Sequence, residues 1–266
     1  MNEKILTNVR IIDPSQNMDE VGSIVINDIG KIKSIGKNVK NSEVSKSADK
    51  IDLKGNIAIP GIVDMKAFVG EPGFEYKENF RTLSQAALAG GVTSIVTMPN
   101  TKPIIDNVSM VDFIIRRGRD KAKVNLFPCA SITRQTAGNQ MTEFGLLKAR
   151  GIIGFSDVNK TIQNTELMSR VMNYASDIDV LIMQHAEDYE LSKSACINEG
   201  EVATRLGLQG VSDIAEKIII ERDLSLLSKF PCRYHINQIS SKNSLNVIKK
   251  NKSNGIRFST GVSINN

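Results

Sequence analysis

Histidine occurs only twice in 266 residues, at His185 and His235, and tryptophan does not occur at all. Two histidines set a ceiling on any metal site, because a centre that needs four cannot be built from this chain. The three cysteines, Cys129, Cys196 and Cys232, are odd in number and far apart. That spacing makes neither a disulfide framework nor a zinc-binding pattern. No run approaches the ~20 apolar residues that a membrane-spanning helix needs. The opening "MNEKILTNVRIID" alternates polar and apolar residues and has no apolar signal core, so a reducing cytoplasm is expected rather than secretion. Aromatic residues are only 5% of the chain, which leaves few rings to stack on bases. The net charge of +5 would suit a polyanion, but most basic residues are interleaved with acids. The densest basic clusters, "RRGRDKAK" at 116–123 and "KKNKSNGIR" at 249–257, read as solvated helix ends. Neither a nucleic acid nor a membrane is expected as a partner.

What is present is an ordinary globular composition, 41% hydrophobic and 24% charged, in a chain long enough for a large core. The first ~60 residues read as short strands without a helix. "SIVINDIGKIKSIG" predicts a hairpin turning at Asp28-Ile29-Gly30, and a polar Ser/Lys-rich passage follows at 40–50. From residue 61 the rhythm becomes strand, loop, helix. Seven strands are expected in "NIAIPGIVDMK", "TSIVTMPN", "VNLFPCASI", "GIIGFSDV", "VLIMQHAED", "RYHINQIS" and "IRFSTGVS". Helices are expected over 77–89, 109–122, 140–149, 164–176, 198–206, 213–229 and 242–250. Ser109 with Asp112, and Asp213 with Glu216, have capping spacing, while Gly90 and Gly151 sit where a helix must reverse into a strand.

Strict alternation implies a parallel sheet with right-handed crossovers, either a doubly wound open sheet or a (β/α)8 barrel. No G-x-G-x-x-G follows a strand, and polar residues collect at the strand ends: Asp64 and Lys66, Asn100, Ser131 and Thr133, Ser156 and Asp157, His185 and Glu187, Gln238 and Ser240. A ring of polar strand ends is how a barrel builds a site. The expected division is a small β module at 1–58 and a barrel at 59–266, ending after its seventh strand as a truncated chain or fragment would.

The segments "IPGIVDM", "GEPGFEYKENF", "AALAGGVTSIVTMPNT", "GIIGFSD", "MQHAED", "EGEVATRLGL" and "RYHINQISSKNSL" together resemble the dihydroorotases of the cyclic amidohydrolase superfamily. The resemblance runs in order from about residue 5 to the last residue. It implies a (β/α)8 barrel with a small β-sandwich built from both chain termini. It also implies a reaction, the reversible cyclisation of N-carbamoyl-aspartate to dihydroorotate in pyrimidine synthesis, with one or two zinc ions activating water.

The same resemblance locates the site. The family's first strand carries Asp-x-His-x-His and then an arginine for the substrate carboxylate. Here Asp64 is kept, Lys66 and Phe68 stand at the histidine positions, and Gly70 stands at the arginine position. Asp157 matches the bridging carboxylate of strand four and His185 the histidine of strand five. On strand six His235 is kept, but the ligand position is Gln238. Asn100 matches a substrate-contacting asparagine, or else caps the turn in "MPNTKP". The general-base aspartate belongs to an eighth strand. Asp157 and His185 are thus the remaining metal ligands, against a need for five or six.

Lys66 reads either as a lysine snorkelling out of the mouth or as an ammonium neutralising Asp157. Phe68 reads as filling space once held by metal, and Cys129 as a buried apolar filler. The expected function is that of a non-catalytic dihydroorotase-like protein of UMP biosynthesis, without a cofactor, oligomeric, and a structural partner of aspartate carbamoyltransferase. "EGEVATRLGL" and "MTEFGLL" resemble segments of degenerate proteobacterial homologues of this kind. The alternative is an active zinc-dependent dihydroorotase or cyclic amidase.

Overall fold

In a computed structural model of the chain, residues 2–39 and 44–264 are described. They divide into two compact units, Met1–Ile62 and Val63–Asn266.

The first unit is a five-stranded sheet in the order β3-β2-β1-β4, with β5 also pairing β1. Strand β1 (Lys4–Asp13) runs antiparallel to β2 (Met18–Ile26), which runs antiparallel to β3 (Ile32–Gly36). Strands β4 (Asp49–Asp52) and β5 (Ile57–Ala58) pair parallel with β1. The β2–β3 hairpin turns where the sequence places it: Gly30 N–H donates to Asn27 O at 3.0 Å, and Gly30 takes φ +80°, open to glycine at little cost. Alternation puts Val9, Ile11 and Ile24 into a small core. The sandwich expected here is represented among the described residues by this one sheet. Positions 40–43 of the Ser/Lys-rich passage lie outside the described residues.

The second unit contains a seven-stranded sheet in the order β6-β7-β8-β9-β10-β13-β14. Its members are β6 (Ile62–Ala67), β7 (Val92–Thr97), β8 (Asn125–Ala130), β9 (Gly154–Phe155), β10 (Leu181–His185), β13 (Arg233–Asn237) and β14 (Ser259–Thr260). The pairings from β7 through to β14 are parallel. All seven expected strands are found. Their spatial order follows the chain without reversal, which is the order of a barrel. A doubly wound sheet would reverse at a switch point.

Helices α1 (Phe80–Ala89), α2 (Val108–Lys121), α3 (Phe144–Ala149) and α4 (Thr165–Asp177) follow the first four strands. Then come α5 (Tyr189–Ser192), α6 (Glu201–Leu206), α7 (Asp213–Lys229) and α8 (Lys242–Ser253). A short parallel pair, β11 (Ile197–Asn198) with β12 (Gly210–Val211), brackets α6 and takes Asn198 out of the helix expected there.

Three helix starts differ from expectation for local reasons. Helix α1 begins at Phe80 rather than 77, because Asn79 accepts from Arg81 and Thr82 N–H in a capping box. The cap of α2 is Asn107, not Ser109; its Oδ1 accepts from Met110 N–H at 3.1 Å. The first residues of the 140–149 segment are not helical, since Met141 bridges to Thr133 and Thr142 N–H donates to Ile132 O at 3.0 Å. Asp213 and Glu216 form no capping box. Ser212 holds the cap position, and Glu216 instead accepts from Ser240 and Ser241, tying α7 to the loop after β13. Gly151 takes φ +99° as its role requires, whereas after α1 the left-handed residue is Gly91 at +76°, one beyond Gly90.

The central strands bury residues on both faces. Toward the helices, Ala130, Phe155, Ile182 and Ile236 pack with Phe80, Ile114, Phe144, Met168 and Ile220. Helix α4 shows why it binds there: Leu167, Met168, Val171, Met172 and Ala175 recur at helical spacing on one buried face. Phe144 stacks on Phe155 with centroids 4.0 Å apart, a pair worth about 1 kcal/mol beyond its buried area. The opposite face carries a second cluster of Val96, Met98, Cys129, Val158 and Met183. This interior layer is the floor beneath the polar strand ends.

Candidate functional site

Strand β6 brings Lys66 to the interior. Its Nζ donates to Gln238 Oε1 at 2.5 Å and to Asn159 Oδ1 at 2.8 Å. Asn159 follows β9 and Gln238 follows β13, so one ammonium ties the ends of three strands together. Both expected readings of Lys66 are corrected. The side chain is half-buried and held by two amide oxygens rather than free in solvent, and it is hydrogen-bonded to Gln238 and Asn159 rather than paired with Asp157. Burial lowers the Lys66 pKa from its usual value. The backbone at Gln238 is left-handed, φ +49°, as is that of Val158 at +65°. Such angles are uncommon for residues with a Cβ, and for a β-branched valine they are outliers.

Asp157 is 3% exposed, and both of its oxygens are engaged by Thr133. Oδ1 accepts from Thr133 N–H at 3.0 Å, and Oδ2 accepts from the Thr133 hydroxyl. Burial raises its pKa, and the Thr133 hydrogen bonds and nearby Lys160 only partly oppose that. His185, at the end of β10, places Nε2 3.0 Å from Glu187 Oε2 and leaves Nδ1 buried without a partner. His235 lies one layer deeper, opposite Met183 in register; its Nδ1 is 2.8 Å from Ser259 Oγ, and burial lowers its pKa.

Phe68 does not fill the interior. It is half-buried, its ring packs 6.2 Å from that of Phe74, and it belongs to neither apolar cluster of this unit. Gly70 explains why no arginine stands there. At φ +73°, a Cβ on Gly70 would meet Glu78 O at 2.4 Å and Phe74 O at 2.9 Å. Asn100 is not the cap of its turn, because Thr101 Oγ1 makes the closing bond to Pro103 O at 2.7 Å and Asn100 Oδ1 is left unpartnered. Cys129 is fully buried, and burial together with the Asp157 charge holds its pKa well above the usual thiol range, so it is an inert filler.

Glu71 of "GEPGFEYKE" is 3% exposed and serves the scaffold. It accepts from Phe80 N–H at the start of α1 and pairs with Arg117 Nε at 2.7 Å. A cavity of about 570 Å³ opens between the ends of β10 and β13, with His185, Glu187 and Gln238 in its wall. A smaller one of about 340 Å³ is lined by Asp157 and Asn159. Sequence reading missed Asn159. It sits in a loop, and nothing in its local pattern announces that Lys66 reaches it.

This donor set does not fit a catalytic zinc, which wants three N, S or O ligands and an open position. An ammonium lies against the Gln238 ligand position, Phe68 has no donor, and Asp157 is occupied by Thr133. Among the described residues no group of three or more His, Cys, Asp or Glu side chains is placed to hold a metal ion. No helix among them is long and apolar enough to cross a membrane.

Comparison with solved structures shows the fold. The L-hydantoinase (dihydropyrimidinase) from Arthrobacter aurescens superposes with a TM-score of 0.80 at 18% identity, covering 99% of this chain and 58% of that one. The D-hydantoinase (dihydropyrimidinase) from Thermus sp. gives 0.76 at 18% identity, covering 98% and 57%. The fold is therefore shared with these hydantoinases. Residues 55–244 match the family described as dihydro-orotase-like, and the chain belongs to that family. It is 40% identical over 253 residues to the dihydroorotase of Syntrophus aciditrophicus, covering 95% of this chain and 59% of the relative. It is 38% identical over 257 residues to the dihydroorotase of Ehrlichia canis, covering 96% and 57%. The chain thus spans under three-fifths of the length of these curated relatives.

Proposed function

We propose that this dihydroorotase-family chain does not interconvert N-carbamoyl-aspartate and dihydroorotate, and that it acts in pyrimidine biosynthesis as a non-catalytic structural partner of aspartate carbamoyltransferase. The observation that carries the reading is the Lys66 ammonium, hydrogen-bonded to Gln238 and Asn159 at the strand ends. A fixed cation there repels Zn2+. Without the metal, neither water activation nor polarisation of the ring amide has a source. Gly70 removes the arginine that would hold the substrate carboxylate, and its backbone leaves no room to restore one. The scaffold is retained: the Glu71–Arg117 pair, the Asn79 cap and the two apolar clusters of the sheet are formed. A cytoplasmic location goes with this role.

The test has two arms. Purified protein is assayed for zinc and for dihydroorotate hydrolysis, and tagged protein is co-purified with aspartate carbamoyltransferase. Zinc-free, inactive protein that brings down the carbamoyltransferase supports the proposal. Turnover at stoichiometric zinc returns the chain to the active dihydroorotases.

A further inference from the structure

At the end of the sheet opposite Lys66, where the strands start, lies a cavity of about 950 Å³. Its wall comes from the first residues of β10 and β13, the segment leading into β14, the last turn of α7 and the turn just after α8. Leu181, Leu227, Cys232, Ile256 and Phe258 give it an apolar lining. No aspartate or glutamate lines it, and its charged wall residues are Arg233 and Arg257. Small-molecule sites are clefts of roughly 300–1,000 Å³ with mostly apolar walls and a few placed polar groups. This cavity has that form.

The arginines fix the sign of the guest's charge. Arg233 and Arg257 each stand two residues before a member of the register pair His235 and Ser259, which joins β13 to β14. Both line the one cavity, so their guanidinium groups serve the same space. Among the described residues neither has an ion pair or a side-chain hydrogen bond. Lys229 and Lys252, in the last turns of α7 and α8, add positive charge at this end of the sheet; they lie over Phe230 and Phe258, 5.3 and 5.5 Å from the ring centroids. Like charges side by side on neighbouring strands repel. A carboxylate between them relieves the repulsion and accepts charge-assisted hydrogen bonds from both planar forks. A wholly apolar guest would leave the arginines without a counter-charge. A small anion alone would leave the apolar wall in contact with water.

We infer that this cavity binds an amphipathic organic anion, a carboxylate carried on an aliphatic tail, with Arg233 and Arg257 holding the head and Leu227, Ile256 and Phe258 covering the tail. The site is separate from the strand ends that carry Lys66, Asp157 and His185. It does not depend on whether those strand ends hold zinc.

Octanoate is the probe, titrated calorimetrically into the purified protein, with acetate and 1-octanol as the head-only and tail-only controls. One octanoate per chain is expected to bind saturably, about tenfold or more tighter than either control. Arg233→Gln and Arg257→Gln are each expected to weaken octanoate about tenfold, the loss of a charge-assisted hydrogen bond. Both side chains are exposed, so neither change disturbs the core. Cys232→Phe fills the cavity and is expected to abolish binding; should it fail to fold, the two arginine variants carry the test. Absence of saturable octanoate binding overturns the inference, as does an equal affinity for 1-octanol or acetate. An octanoate affinity unchanged in both arginine variants overturns it too. Each of these outcomes leaves the proposed function standing, because none of them reads zinc, turnover or the carbamoyltransferase.

Discussion

Lys66 Nζ donates to Gln238 Oε1 at 2.5 Å, across 172 residues of sequence, joining two positions at which the family resemblance expects metal-ligating histidines. The contact carries an energetic expectation. Lys66→Met and Gln238→Ala remove the same hydrogen bond, so the double variant should cost less than the sum of the singles. A coupling of about 0.5–3 kcal/mol by urea denaturation is the range for groups in one network. Strict additivity would mean that the contact contributes nothing to stability.

Gly70→Arg should not rebuild a carboxylate clamp. The backbone there sits at φ +73°, and the new Cβ would run into Glu78 O at 2.4 Å. That oxygen and the Phe74 O at 2.9 Å are both backbone atoms, not the far end of a flexible side chain. A loss of about 2 kcal/mol or more is expected, from strain at a left-handed position plus the displaced loop. A variant as stable as the parent in urea would show that the 70–79 loop relaxes freely.

Arg117→Met should be more damaging than an ordinary surface substitution. It leaves Glu71, which is 3% exposed, with only the Phe80 N–H as a named partner. Because the Arg117 side chain is itself 42% exposed, the cost should be about 1–3 kcal/mol, below that of a fully buried pair. Glu71→Gln with Arg117→Met removes the stranded charge and should recover part of the loss in the same denaturation assay.

The strands were the most legible part of the chain, because they are short, largely apolar runs with Gly or Pro often near their ends. Helix starts were less so. Asn107 and Ser109 both have capping chemistry, and only the path of the chain out of the 101–106 turn decides that Asn107 does the work. At the site, the sequence identified Lys66, Phe68, Gly70 and Gln238 as positions of interest. It did not reveal that Lys66 passes over Asp157 for two amides. Partner choice over long sequence separation depends on which strand ends the fold brings together, here Thr133 with Asp157 and Lys66 with Asn159, and that has no local signature.

The pH dependence of stability should carry a contribution from His235. Burial lowers its pKa in the fold, so the unfolded chain takes up the proton first. The stability from keeping it neutral is present above about pH 6.5, the unperturbed histidine value, and is lost as pH falls through the folded value. His235→Asn keeps a partner for Ser259 Oγ and has no such titration. Its stability should fall less than the parent's between about pH 7 and about pH 5, read from denaturation midpoints. An unchanged slope would assign the acid sensitivity elsewhere.

Zinc content and dihydroorotate hydrolysis, determined together on one preparation purified with zinc in every buffer, decide whether Lys66 has taken the place of the metal. The expected result is substoichiometric zinc, removable without change in melting temperature, and no turnover above the buffer rate. Stoichiometric zinc that survives dialysis, with dihydroorotate consumed, would contradict it.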